Sequence, residues 1–66
     1  MYAVGKYHDH VMIYSVTTVV TDPVYDTFEE AKHAALNIIT NRLELWADQL
    51  KIITELQEHD VIIPNN

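Results

Sequence analysis

The chain has 66 residues, 48% of them apolar, with ten acidic side chains against four basic ones, a formal charge of −6 and no cysteine. That length excludes more than one domain, the apolar content excludes a disordered chain, and the absence of thiols excludes disulfide staples. The acidic balance argues against direct binding to nucleic acid or an anionic membrane, and no apolar run approaches the ~18 residues of a membrane span.

The N-terminal MYAVGKYHDH has neither the basic start nor the apolar stretch of a signal peptide, so the expected location is the cytoplasm. Tyr2 to Tyr7 alternates with the period of two that suits a strand. Gly5, the only glycine, predicts a bulge or a close approach by another backbone, the helix in particular. His8-Asp9-His10 is the expected turn. Val11 to Thr21 is almost entirely β-branched or aromatic and reads as the second strand, so residues 1–21 form an antiparallel β-hairpin. On that strand Met12, Tyr14, Val16, Thr18 and Val20 form the more apolar set and are assigned to the core. Val11, Ile13, Ser15, Thr17 and Val19 are assigned to the opposite face. The second strand outruns the first, which leaves room for a short third strand at Val24-Tyr25. Asp22-Pro23 stops the run, and residues 22–26 form a turn.

Thr27-Phe-Glu-Glu30 matches a capping box, and Asp26, Glu29 and Glu30 complement the positive end of a helix dipole. From there to His59 the chain contains no glycine or proline, which predicts one long helix over residues 27–59 and a tail over 60–66. Val61, Ile62 and Ile63 in that tail are expected along a sheet edge or over apolar surface.

Two apolar stripes run along this helix. Leu36, Ile39, Leu43, Trp46, Leu50 and Ile53 alternate steps of three and four, the spacing of a coiled-coil seam. Phe28, Ala31, Ala35, Ile38, Leu45, Ile52 and Leu56 form the second. Together they cover roughly 200° of the circumference, twice the ~100° that packing on one sheet requires. A straight helix of this length is roughly 48 Å long. A compact globule of this size is only about 28 Å across. The helix is therefore expected to overhang its hairpin and to bury the first stripe against an identical subunit across a two-fold axis. The competing arrangement breaks the helix near Thr40-Asn41, with Asn41-Arg-Leu-Glu44 capping a second helix that folds back. The uninterrupted seam and the lack of glycine or proline favour the continuous form. The expected fold is α+β, a hairpin on one long C-terminal helix, self-associated as a dimer.

Few residues nominate themselves for chemistry. His8 and His10, two apart on a strand, face the same side and are the candidates for a metal, but structural or catalytic zinc needs three or four ligands. Glu55 and His59 have one-turn spacing at the helix end. No nucleophile motif, phosphate-cradling loop or paired carboxylates occur, so neither an enzyme nor a cofactor is expected. Tyr2, Tyr7, Tyr14 and Tyr25 lack the basic neighbours of a base-stacking platform and read as half-buried strand residues. Glu29, Glu30, Glu44, Asp48, Glu55 and Glu58 project from one helix face. The leading function is a small acidic protein–protein interaction module, an adaptor, regulator or inhibitor acting through the self-associated helix. The alternative is an acidic inhibitor that mimics nucleic-acid charge and blocks a nucleic-acid-binding protein, by analogy with inhibitors encoded by viruses and mobile elements. A metal-responsive switch through His8 and His10 is the third reading.

Overall fold

The computed structural model describes residues 1–18 and 20–61. Val19 and the tail positions Ile62 and Ile63 lie outside the described residues. Strand β1 (Tyr2–Lys6) pairs antiparallel with β2 (Val11–Ser15) and, along its other edge, with β3 (Val24–Tyr25), so the sheet order is β2-β1-β3. The short third strand thus forms. Helix α1 (Phe28–Asn41) packs across the sheet, and α2 (Leu43–Glu55) packs on α1 and reaches β2. A 3-10 turn over Glu58–Asp60 follows. The fold is α+β, but the expected single long helix is two helices.

The hairpin register follows from the turn. The Tyr7 N–H donates to the His10 carbonyl at 2.8 Å, and Val16 N–H to Met1 carbonyl at 3.0 Å, which brackets the pairs from Lys6↔Val11 to Tyr2↔Ser15. Side chains of directly opposed residues share a face. Val4 and Ile13 therefore point together into the core, whereas Ala3 and Tyr14 point to the far face of the sheet. This reverses the expected face of the second strand: Val11 and Ile13 are buried against the helices, and Met12 and Tyr14 are only half-buried. The set Met12, Tyr14, Val16, Thr18 and Val20 is the more apolar one only over the full run to Thr21, and the strand stops at Ser15. Within those limits the compact aliphatics fit beneath α1. Tyr14 turns outward, where its hydroxyl donates to Asp22 Oδ2 at 2.6 Å. That hydrogen bond, with partial burial and the Asp22 charge, pushes the Tyr14 phenol up to about 12.

Gly5 sits in the regular ladder opposite Met12, with no bulge. A Cβ placed there would lie 2.8 Å from Cε2 of Tyr7, so the close neighbour is an aromatic ring on the sheet's outer face, not the helix.

Helix α1 starts as its sequence dictates. Thr27 Oγ1 accepts from the Glu30 N–H at 3.2 Å, and the Thr27 hydroxyl donates to the Glu30 carboxylate at 3.1 Å. Phe28, Ala31, Ala35 and Ile39 are buried at helical spacing. The two alanines let the helix backbone approach Val4, Val11 and Ile13 closely, and Tyr2 meets Phe28 edge-to-face at 5.8 Å. Trp46 and Ile53 of α2 complete this core. Burying each such large side chain contributes about 1.5–3 kcal/mol, which is how so short a chain closes around a single core.

The chain turns back at Arg42, whose backbone leaves the helical region at φ −137°, ψ 52°. Its N–H reaches the Ile39 carbonyl at 3.1 Å, and its carbonyl accepts from Leu45 and Trp46. Asn41 is not the cap, and the first turn of α2 has no side-chain cap; instead the Arg42 guanidinium holds Glu44 at 2.7 Å and lowers its pKa. Folding back spares the molecule the overhang that a straight helix would have imposed, and the whole measures 32 × 22 × 19 Å.

Candidate interaction surface

The second helix has three surroundings at once. Trp46 and Ile53 enter the core, Leu50 is half-buried against it, and Leu43, Leu45 and Ile52 remain 45%, 50% and 55% exposed. The residues expected to form a self-association seam are therefore distributed differently from that expectation. Ile39, Trp46 and Ile53 are buried within the single chain, Leu36 and Leu50 pack on the core's margin, and of the six only Leu43 is exposed. The premise of that seam was an uncovered second half, and the chain covers it by bending.

The end of α2 is held firmly. Lys32 Nζ donates to the Leu56 carbonyl at 2.9 Å and also sits 5.8 Å from the Phe28 ring centroid. Tyr2 donates to Glu58 at 2.7 Å, an arrangement that raises the phenol's pKa. Helix α2 ends at Glu55 rather than near His59, and Leu56 turns to an extended conformation. Glu55 and His59 consequently do not share a helix face. The Asp60 carboxylate accepts from the Gln57 N–H at 3.4 Å and helps shape the 3-10 turn.

Between this C-terminal half of α2 and the edge strand β2 lies a cavity of about 330 Å³. Val11, Ile13, Ile52, Ile53 and Leu56 supply its apolar lining, with Met12 beside them. His10, Gln49 and Asp60 supply the polar groups at its margin. A cleft of this size accepts a small apolar group or one bulky side chain of a partner. The sequence placed Ile52 and Leu56 in the second stripe, with Gln49 in its line, and Met12 on the core face of the strand, but it did not single out Asp60 or bring any of these together. Only the fold-back brings those to one place, and no local pattern marks it.

Trp46 carries an irregularity of its own. Its backbone is non-helical within α2, at φ −125°, ψ 25°, and its indole Nε1 is buried with no hydrogen-bond partner. A buried unpaired donor costs about 1–3 kcal/mol, which the ring's apolar burial offsets.

The acidic face divides. Folding back brings Glu29 and Glu30 to the end of the α1–α2 pair where Glu55 and Glu58 lie, as the Lys32–Leu56 contact requires, and leaves Glu44 and Asp48 toward the Arg42 end. All six are exposed, but not along one rod. His8 and His10 flank the turn: the His10 ring stacks on Tyr7 at 4.8 Å and its Nδ1 contacts Asp9 at 2.6 Å, which holds the Asp9 carboxyl below its ordinary range. Among the described residues no group of three or more His, Cys, Asp or Glu side chains is arranged to hold a metal ion. Nor, among them, is any helix long and apolar enough to cross a membrane.

No protein-family model matches the chain, no curated protein matches its sequence, and no solved structure matches its fold.

Proposed function

We propose that this chain is a small acidic protein–protein interaction module, an adaptor, regulator or inhibitor that presents α2 to another protein. The observation that carries this reading is the exposure of Leu43, Leu45 and Ile52 on one helix, at 45%, 50% and 55%. Each lies beside acidic or polar neighbours such as Glu44, Asp48 and Glu55 that keep the helix soluble. Ile52 lines the apolar cleft; exposed large aliphatics at such a place are what a protein partner covers, since desolvating them rewards contact. The charge of −6 favours a partner with a basic rim around its own apolar patch.

Affinity capture from the native cytoplasm, run in parallel with the wild type and a Leu45→Ser, Ile52→Ser double variant, tests this. Both side chains are exposed, so the variant keeps its thermal midpoint. The expected result is a specific protein retained by the wild type and lost by the variant. A partner retained equally by both, with its binding unaltered, overturns the assignment to α2.

A further inference from the structure

The two helices meet at one residue. Arg42 is a good helix former, Asn41 before it ends α1, and neither glycine nor proline occurs anywhere from Phe28 to Glu55. Nothing local forbids the helix from continuing. The apolar positions Leu36, Ile39, Leu43, Trp46, Leu50 and Ile53 keep their step of three and four straight through the junction. At the junction itself, the Arg42 N–H uses the Ile39 carbonyl and the Leu45 N–H uses that of Arg42, both one residue short of α-helical spacing. Helix α2 begins without a side-chain cap. A straightened chain would supply the missing bonds, from the N–H groups of Arg42, Leu43, Glu44 and Leu45 to the carbonyls of Ile38, Ile39, Thr40 and Asn41.

Straightening alone would strip Trp46 and Ile53 from the core. A second copy restores them, because the surface that covers them in one chain is present in the other. We propose that the α1–α2 pair opens at Arg42 and that α2 is exchanged between two copies of this chain, each Trp46 and Ile53 entering the partner copy's core. The contacts that pin α2 are reused unchanged: the Lys32–Leu56 and Tyr2–Glu58 hydrogen bonds form between copies instead of within one. Exchange of this kind costs little in contact energy, since only the junction and the non-helical Trp46 backbone change and the buried interface is already complementary. It also reconciles the uninterrupted seam with a closed monomer: both forms use the same apolar face. The proposal rests on the interaction reading only in taking α2 as the element that engages a partner, and it uses the helix's buried side rather than its exposed one.

The mass of four chains, measured by light scattering over a concentration series, tests the exchange. The wild type is expected to pass from 7.6 kDa toward twice that mass as concentration rises. Arg42→Ala strengthens dimerisation about twofold, because each dimer holds two junctions and alanine is only slightly the better helix former. Arg42→Gly weakens it about tenfold, since glycine is the much poorer one. Small-angle scattering of the dimer shows a particle longer than the 32 Å monomer, since Phe28 to Glu55 as one helix spans about 42 Å. A wild type and an alanine variant that both remain at 7.6 kDa to millimolar concentration overturn the exchange. So does a dimer that Leu45→Ser with Ile52→Ser dissolves, because that dimer would be held by the exposed face. Loss of partner capture in the serine variant, with dimerisation intact, leaves the exchange standing and locates the partner site separately.

Discussion

Helices α1 and α2 are nearly the same length, 14 and 13 residues, and both are rich in apolar side chains, yet they do different work. Helix α1 is capped by Thr27, keeps one regular buried face through Phe28, Ala31, Ala35 and Ile39, and lies across the sheet. Helix α2 starts uncapped, departs from helical geometry at Trp46, buries two residues and displays three large aliphatics. The difference teaches that apolar content alone does not say what a helix is for. A stripe of small and large residues matched to a sheet builds a core. A helix with apolar residues on several sides packs with one of them and leaves the rest for another contact.

The sharpest way to break this comparison is at Trp46, the largest side chain α2 commits to the core. Trp46→Ala is expected to cost about 3–5 kcal/mol in denaturant unfolding. Trp46→Phe, which removes the unpartnered N–H while keeping an aromatic ring, should stay within about 1 kcal/mol of the wild type. If both variants are equally harmful, the indole N–H has a role the structure does not show. Next in size is a matched pair of alanines. Ala35→Leu overfills the contact between α1 and the sheet and should lose about 1–3 kcal/mol. Ala47→Leu on the exposed side of α2 should fall within about 0.5 kcal/mol of no change. Equal effects at the two positions would erase the distinction between the helices.

A smaller effect follows from the caps. Thr27→Ala removes the acceptor for the Glu30 N–H and should cost about 1 kcal/mol. Helix α2 has no equivalent bond to lose, so Asn41→Ala should not destabilise the fold at all.

Alkaline pH probes the sheet's outer face, which neither helix covers. Tyr14 is held protonated by Asp22 and its phenol is raised from 10.0 to about 12. A raised folded-state value means the stabilisation is complete below pH 10 and is lost as pH climbs from there toward about 12. Thermal midpoints should fall across that window, and Tyr14→Phe should flatten this part of the decline. An unchanged alkaline profile in the variant would show that the bond contributes nothing.

Much of the architecture was legible in local pattern. The Thr27 cap, the His8-Asp9-His10 turn and the start of each of the two main strands follow from residue chemistry acting over a few positions. The face of β2 was not legible, because it depended on where the strand ended, and Val16 to Thr18 have strand-like side chains but no strand conformation. The cleft beside β2 was not legible either, since His10, Ile52 and Asp60 meet only after the chain has turned back.

By itself, then, the sequence determined that Phe28 to Glu55 would be helical and would carry more apolar surface than one sheet could bury. Propensity and periodicity act along the chain, and both are continuous through this segment. Whether the helix would run straight or fold back at Arg42 was left to tertiary structure. No residue there compels either choice, and burial of Trp46 and Ile53 against α1 and the sheet rewards the bend by more than the few backbone hydrogen bonds it removes.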